Sequence, residues 1–388
     1  MTNRRHDVDI CVVGLGPTGR ALASRCAAAG LTVAVVDPRP DHLWNPTYSA
    51  WADELPDWLP ETVVAARIEA PTVWTNVERR IERPYVVLSK TELWKALPID
   101  NVQVEAQRAI DVRAHEVDLA DGDTIQAAVV IDARGLPPVH KRPAASAHGI
   151  FVDADRVAEF VPPGEALMLD WRPENGAGND EPPSFLYSVP IGDGTVIFEE
   201  TTLGVPGGLT QGELRKRVLH RLATHGIELT GDEPTEGCHY PLDQPPPRRF
   251  GRGDSPVPFG SRGGMMHPCT GYSVADSLAL TDTVVAALQA GADPVDALWT
   301  NKARLVYWMR MRGVAGMGRL TTEQMRSMFD AFFTATPRQQ RALLSEHDDA
   351  SALATVLFST VAHTWPFRWR YDLVGWTNRK RWVDWSAS

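Results

Sequence analysis

Residues 8–19 of the chain read VDICVVGLGPTG. The first six are apolar apart from Asp9 and predict a short buried strand. The next six have the pattern G-x-G-x-x-G, and the alanine-rich stretch after them predicts a helix that ends at Gly30. A second apolar run over residues 32–36 closes on Asp37, eighteen residues after the last glycine of the pattern. This order of strand, turn, helix, strand and acid predicts a dinucleotide-binding βαβ unit.

The three glycines of the pattern have separate physical tasks. Gly14 allows the tight turn, Gly16 lets a pyrophosphate approach the backbone, and Gly19 lets the helix pack on the strand. The pattern does not distinguish NAD from FAD, although its place at the N-terminus favours FAD; the alternative is a strand–turn–helix without a ligand. The residues expected to bind the cofactor here are Gly14, Leu15, Gly16, Pro17, Thr18, Gly19, Asp37 and Pro38.

The composition is that of an ordinary globular protein, with 388 residues of which 43% are hydrophobic and 23% charged. The net charge is −10, which disfavours a nucleic-acid-binding protein because such proteins usually carry a basic surplus. The four cysteines have no paired spacing, so we expect neither a disulfide framework nor a metal site. The N-terminus does not resemble a signal peptide and the sequence has no long apolar run, so we expect a cytoplasmic protein.

The pattern changes along the chain and predicts an α/β fold of three parts. A Rossmann-like domain is expected to comprise residues 1–145 and 241–300. Short alternating strands with Pro and Gly turns predict an antiparallel β-sheet substrate domain over residues 146–240. Residues 301–388 are expected to form a helical C-terminal region. The pattern also predicts a helix from Ser273 to about Ala290, an amphipathic helical stretch over residues 296–363, and a hairpin turn at Asp121-Gly122.

Two parts of the sequence carry candidate site residues. Three tryptophans, Trp44, Trp51 and Trp58, lie in one predicted loop, where they line a pocket or form a small core of their own. The predicted strand 195–201 reads TVIFEET and carries adjacent carboxyl groups, Glu199 and Glu200. Because neighbouring strand residues point to opposite faces, only one of the two can enter a pocket. The alternative is a pair of solvated acids.

Several motifs together resemble the lycopene cyclase family of FAD-containing carotenoid cyclases. They are the glycine pattern, the aromatic loop over residues 44–54, FLYSVP at 185–190, FEET at 198–201 and GMMHPCTGYSV at 264–274. The helical stretch around residues 329–333 also matches. In the loop, Ser49-Ala50 stands where the family usually has Gly-Val, which leaves the identity of the substrate open.

The resemblance implies a flavin-dependent enzyme that closes a ring in an acyclic isoprenoid end group without net redox change. Reduced FAD would be the active form, and NADPH would act only as its reductant. The family signature favours Glu199 over Glu200 as the acid, and the implied substrate pocket contains Trp44, Tyr48, Trp51 and Tyr187. The resemblance also implies further cofactor contacts, at Lys90, Asp132, Gly135, Met265, His267, Pro268, Thr270, Gly271 and Tyr272. His267 has two interpretations, a general base or a structural contact near the flavin, and the second is favoured.

Three alternatives stay open: a cyclase of the same mechanism acting on a non-carotenoid polyene or terpenoid, an FAD-dependent monooxygenase, and a non-catalytic lipid carrier. A lipophilic substrate would require peripheral contact with the inner face of the membrane. Residues 365–385 carry five Trp and five Lys or Arg, a composition typical of a segment at a bilayer interface. A packed C-terminal helix with a charged face explains that composition equally well.

Overall fold

The computed structural model describes residues 7–137, 141–249, 253–364 and 366, and its fold is of the mixed α/β class. In chain order the strands are β1 (Val8–Val13), β2 (Val33–Val36), β3 (Ser49–Trp51), β4 (Val64–Ile68), β5 (Thr72–Trp74), β6 (Glu78–Arg80), β7 (Tyr85–Leu88), β8 (Gln103–Glu105), β9 (Ala109–Val112), β10 (Glu116–Leu119), β11 (Thr124–Asp132), β12 (Pro143–Asp153), β13 (Leu167–Asp170), β14 (Phe185–Pro190), β15 (Thr195–Pro206), β16 (Thr235–Pro241) and β17 (Val257–Pro258). The helices are α1 (Pro17–Ala28), α2 (Lys90–Ala96), α3 (Ala154–Val157), α4 (Gln211–Thr224), α5 (Val274–Ala279), α6 (Thr281–Gln289), α7 (Pro294–Leu298), α8 (Asn301–Met317), α9 (Thr322–Phe332), α10 (Pro337–Leu344) and α11 (Ala350–His363).

The first sheet has the strand order β8-β2-β1-β11-β10-β9, and β17 pairs with β11. Strands β8, β2, β1, β11 and β17 are parallel, whereas β10 and β9 are antiparallel additions. Helices α1, α6, α7 and α8 cover one face, and residues of β9 and β10 pack on the other. Burial on both faces explains why β1 and β2 are almost continuously apolar.

Because β1, β2 and β11 are parallel, the residues that follow them meet at one edge of the sheet. The Gly14 N–H donates to the Val36 carbonyl over 2.9 Å, and the Ala133 N–H donates to the Val13 carbonyl over 2.9 Å. The glycine pattern, Asp37 and Asp132 therefore lie at the same carboxyl-terminal edge, where open α/β sheets bind ligands.

The second sheet has the order β16-β12-β15-β14-β13-β5-β6 and is antiparallel except between β13 and β5. Alternate residues of β15 enter different cores. Ile197 packs on the side of α8–α11, whereas Phe198 packs on the side of α3 and α4. The third sheet is small, with the order β3-β7-β4.

Several predicted boundaries differ from those of the structure. Strands β5 and β6 fall within the predicted first domain, but they pair in the second sheet. The division of the chain into three domains stays a prediction. The helix expected from Ser273 to about Ala290 is two helices, α5 and α6, and the helical stretch 296–363 is divided among α7 to α11. The tryptophan-rich segment 365–385 lies, apart from Pro366, outside the described residues.

Candidate active site

A cavity of about 740 Å³ is lined by residues of both the second sheet and the C-terminal helices. That volume lies within the range of about 300–1,000 Å³ that small-molecule sites usually have. Most of the lining side chains are apolar or aromatic, among them Met168, Leu169, Phe185, Ile197, Leu203, Trp308, Met309, Met317, Met328, Phe329, Phe332, Leu344 and Leu357. More than a third of the lining residues thus come from helices α8 to α11, which the sequence did not connect with a pocket.

Glu199 lines this cavity, and it does so with Ile197 and Thr201 from the same face of β15. The hydroxyl of Thr201 donates to Oε1 of Glu199 over 2.9 Å. Burial raises the pKa of the Glu199 carboxyl to about 7, and the nearby charge of Glu236 adds to the increase. Near neutral pH the carboxyl group is therefore partly protonated and can act as an acid.

Glu200 lies on the opposite face of β15 and does not line the cavity. Its carboxylate is fully buried and pairs with Arg221 of α4, which donates to it over 3.1 and 3.3 Å. Asn175 and Ser184 each donate a further hydrogen bond of 2.7 Å to Oε1. Both carboxylate oxygens of Glu200 thus accept hydrogen bonds from within the protein, which is the arrangement of a structural ion pair.

The aromatic loop is divided between the pocket and a separate core. Tyr48 and Trp51 line the cavity, as does Tyr187 of β14. Trp44 instead packs beside Trp94 of α2, with ring centres 5.2 Å apart, and its indole N–H donates to the Leu15 carbonyl over 2.8 Å. Both interpretations of the loop therefore hold, each for different residues.

The loop before α5 carries most of the predicted cofactor contacts of the second half of the chain. Thr270, Gly271 and Tyr272 line the cavity, whereas Met265, His267 and Pro268 are buried beneath them. Helix α5 begins at Val274, three residues after Gly271. Gly271 has a left-handed φ of +77°, and a Cβ atom there would lie 2.5 Å from the Tyr240 hydroxyl. That close approach explains the glycine.

His267 shapes this loop. The ring Nδ1 of His267 accepts hydrogen bonds from the backbone N–H groups of Cys269 and Thr270 over 3.2 Å. The backbone N–H of His267 donates to the Tyr272 carbonyl over 2.7 Å. Burial, with the neighbouring Arg310 cation, lowers the pKa of His267 well below its usual range. These contacts fit a neutral, structural histidine.

The turn between β1 and α1 fits the pyrophosphate of a dinucleotide. Helix α1 begins after Gly16 without a side-chain cap, so its first turn can offer N–H groups to phosphate. A Cβ atom at Gly16 would meet nothing within 4 Å, which leaves room for a ligand. A Cβ atom added to Gly14 would lie 2.9 Å from the Arg134 backbone. A Cβ atom added to Gly19 would lie 1.9 Å from the Gly14 carbonyl oxygen.

The other predicted cofactor contacts lie at or near this edge of the sheet. Asp37 accepts hydrogen bonds of 2.8 Å from the N–H groups of Leu15 and Arg39, and Pro38 is exposed beside it. Asp132 is buried, which opposes ionisation, but hydrogen bonds and charges from Arg134 and Arg262 outweigh burial and lower its pKa. Gly135 is exposed in the loop after β11. Lys90 Nζ donates to the Asn45 carbonyl over 2.7 Å and so ties α2 to the aromatic loop.

Two residues of the site were not singled out from the sequence. Glu236 of β16 lines the cavity together with Cys238 and Tyr240, and this alternation was the available signal. Tyr85 of β7 is fully buried and joins the hydroxyls of two cavity-lining residues, Tyr187 and Tyr272. Nothing in the sequence of its strand indicates that contact.

Comparison with known sequences gives a consistent result. The family model described as "Lycopene cyclase protein" matches residues 9–365. A lycopene beta cyclase of Capsicum annuum is 30% identical over 376 residues, which cover 87% of this chain and 74% of that protein. An uncharacterized carotenoid cyclase of Deinococcus radiodurans is 29% identical over 393 residues, covering 92% and 90%.

Comparison with solved structures shows the same overall fold in flavoenzyme-like proteins. A geranylgeranyl bacteriochlorophyll reductase-like protein from Thermoplasma acidophilum superposes with a TM-score of 0.65 at 14% identity, covering 94% of this chain and 99% of that one. A mutant of the halogenase PltM in complex with FAD gives a TM-score of 0.57 at 12% identity, covering 92% and 85%. With a family model that matches nearly the whole sequence, this chain belongs to the lycopene cyclase family and is an enzyme of that family.

Proposed function

We propose that the protein closes a ring in the acyclic end group of lycopene or a related polyene, by acid catalysis and without net redox change. The observation that carries this proposal is the carboxyl group of Glu199 in a largely apolar cavity, where burial raises its pKa to about 7. A protonated carboxylic acid in such a cavity can protonate an alkene.

The reaction needs three properties of this chain. Glu199 donates its proton to the terminal double bond, and the neighbouring double bond attacks the resulting cation to form the ring carbon–carbon bond. The apolar walls from α8, α9 and α11 keep water away from the cation, which water would otherwise trap. Tyr187 and Tyr272 line the same cavity, and aromatic rings can stabilise positive charge.

FAD is the cofactor that the edge of the first sheet supports best. In this proposal the first turn of α1 holds the pyrophosphate, Asp37 binds the adenosine ribose, and residues 270–272 contact the flavin where the cavity meets that loop. Reduced FAD, when bound, would supply an electron-rich ring that stabilises a nearby carbocation. NADPH is proposed only as the source of its electrons.

We further propose that the protein acts at the inner face of the cytoplasmic membrane. None of the helices among the described residues has the length and apolar character needed to cross a bilayer. Three large apolar side chains are nevertheless exposed on adjacent helices: Leu305 and Trp308 of α8 and Phe358 of α11, the last at 78%. Trp308 also lines the cavity. Helix α8 carries no acid, and three of its four Lys or Arg, namely Lys302, Arg304 and Arg312, are not buried; in a chain whose net charge is −10 that favours an anionic lipid surface.

The test is ring closure by purified protein given FAD, dithionite and lycopene in detergent or liposomes without oxygen. We expect cyclic product from the wild type and at least a 100-fold slower reaction from Glu199→Gln, which keeps the shape of the side chain and removes its acid. Glu159→Gln is the matched control, because Glu159 is exposed and distant from the cavity lining. A reaction that required oxygen would indicate a monooxygenase instead, and an unchanged rate for Glu199→Gln would exclude this residue as the acid.

A further inference from the structure

Four residues form one row across the second sheet. Tyr187 of β14 is directly opposite Glu199 of β15, Glu199 is opposite Gly149 of β12, and Gly149 is opposite Glu236 of β16. Residues in register on adjacent strands point to the same face of the sheet. Glu199 and Glu236 therefore both face the cavity, and both line it.

Gly149 has no side chain, and the Ile197 side chain occupies the space over it. A Cβ atom there would lie 2.7 Å from Cδ1 of Ile197 and 3.6 Å from Cβ of Glu199. With two interstrand spacings between them, the two glutamate backbones are about 10 Å apart. Both glutamate side chains enter the cavity from this face of the sheet.

Glu236 is held differently from Glu199. The Thr47 N–H donates to both of its carboxylate oxygens, over 2.9 and 3.0 Å, and the Thr47 hydroxyl donates to Oε2 over 2.8 Å. All three hydrogen bonds are donated to the carboxyl group by Thr47. They also fix the aromatic loop against the edge of the second sheet.

We propose that Glu236 is the base that removes a proton from the cyclised cation, in the reaction proposed above. The C–H bond next to the cationic carbon breaks, its electron pair forms the ring double bond, and the proton is transferred to the Glu236 carboxylate. Glu199, which gave up its proton at the start, is then ionised, and Glu236 is protonated. Return of one proton from Glu236 to Glu199 restores both groups, so the cycle consumes no proton and no electron.

The surroundings of the pair support this division of roles. The titratable groups that interact electrostatically with Glu199 include Glu236, Cys238, Tyr240, Tyr187 and Tyr272. Two cationic side chains, Arg312 and Arg319, also line the cavity. Burial raises the pKa of the thiol and of the three phenols, so these four groups are neutral near pH 7. Glu236 is the carboxyl group whose charge adds to the raised pKa of Glu199, and two neighbouring carboxyl groups in unlike environments can serve as acid and base.

The experiment compares wild type, Glu236→Gln, Glu236→Asp and the control Glu159→Gln, with reduced FAD and lycopene, at pH 6 and pH 8. At pH 6 we expect the Gln variant to turn over at least 100-fold more slowly with an unchanged KM, and the Asp variant to recover part of the rate. Infrared titration of the Glu199 carboxyl in substrate-free protein should show a lower pKa in the Gln variant, because a neighbouring negative charge has been removed.

Each other outcome is decisive. If the Gln variant is slow only at pH 8, Glu236 acts by raising the pKa of Glu199 and is not the base. An unimpaired Gln variant at both pH values overturns the role altogether. If the wild type forms no cyclic product, the proposed function fails, and the role of Glu236 as the base fails with it. The wild-type reaction alone reveals this outcome. Thermal unfolding of each variant verifies that the chain is folded.

Discussion

The phenol oxygens of Tyr85 and Tyr272 lie 2.6 Å apart. Tyr85 also contacts the Tyr187 hydroxyl over 3.2 Å, and Tyr187 contacts the Ser49 hydroxyl over 2.9 Å. Because β7 belongs to the small sheet, β14 to the second sheet and Tyr272 to the loop before α5, one buried hydroxyl connects three parts of the fold. This chain of hydroxyls fixes the polar side of the cavity wall.

Tyr85→Phe should lower the free energy of unfolding by about 1–3 kcal/mol, because the Tyr272 hydroxyl loses its contact with Tyr85 and the Tyr187 hydroxyl keeps only Ser49. Tyr85 does not itself contribute to the cavity lining, so KM for lycopene should change little while kcat falls. Urea unfolding followed by circular dichroism measures the stability, with Tyr307→Phe on α8 as a comparison outside this chain of hydroxyls. Identical unfolding curves for wild type and Tyr85→Phe would contradict the prediction.

The rate of cyclisation should fall as the pH rises through about 7, since the pKa of the buried Glu199 carboxyl is raised to about 7 and only its protonated form donates. Above that value we expect about a tenfold loss for each pH unit. A rate profile from pH 5 to 9 checks this, and a rate that increased toward pH 9 would contradict it.

Stability should decrease over the same interval. Burial raises the pKa of Glu54 to about 7 and that of Asp276 to about 6, so the folded state of these carboxyls, like that of Glu199, binds protons more tightly than the unfolded chain does. Folding is then favoured at low pH and loses this contribution as the pH rises toward 7. Unfolding midpoints measured at pH 5, 6, 7 and 8 separate this effect from the loss of activity.

Glu200→Gln should destabilise the protein by about 3–5 kcal/mol, because Arg221 would remain buried without its partner. Replacing both residues by Met should recover much of that loss. Cyclisation per folded molecule should be retained in the double variant, since neither side chain lines the cavity. A stable Glu200→Gln variant that had lost activity would instead indicate a direct role in the reaction.

The glycine pattern offers a matched pair of variants. Gly19→Ala places a carbon 1.9 Å from the Gly14 carbonyl oxygen and should lower both Tm and FAD affinity. At Gly16 the added carbon meets no protein atom, so Gly16→Ala should keep Tm and weaken FAD alone. Differential scanning fluorimetry and the quenching of flavin fluorescence measure the two effects. Unchanged FAD affinity in both variants would exclude this turn as the phosphate site.

Replacing Trp308 and Phe358 together by Ser should weaken binding to anionic vesicles at least tenfold, since both side chains are more than half exposed and large apolar groups drive interfacial binding. Cosedimentation with phosphatidylglycerol vesicles measures the binding, and Glu159→Gln serves again as the control. Full retention of binding by the double variant would exclude this surface and direct attention to residues 365–385.

Local sequence patterns predicted the parts of the fold that depend on neighbouring residues. The strand–glycine–helix unit, the turn at Gly122 with φ of +99°, and the two faces of β15 all follow from residue type and period. They do so because backbone freedom at glycine and the alternation of strand side chains are local properties.

The remaining features depend on long-range pairing, which a single sequence does not reveal. Nothing near Glu236 shows that its strand lies two positions from Glu199, since β12, which separates them, is some 85 residues earlier in the chain. Likewise, the course of α8 to α11 over the second sheet decides that Trp308 lines the cavity while Trp44 packs elsewhere.

The ion pair between Glu200 and Arg221 has one more effect, on the alignment of the strand that carries the acid. A shift of β15 by a single residue would exchange its two faces. Glu199 would then meet Arg221, and either Phe198 or Glu200 would face the cavity. The ion pair of the Glu200 carboxylate with Arg221 disfavours that misaligned form. Glu200, which takes no part in the proposed reaction, thus helps to keep Glu199 on the cavity side of β15. A family member that lost the arginine would lose this control of strand alignment before it lost any catalytic group.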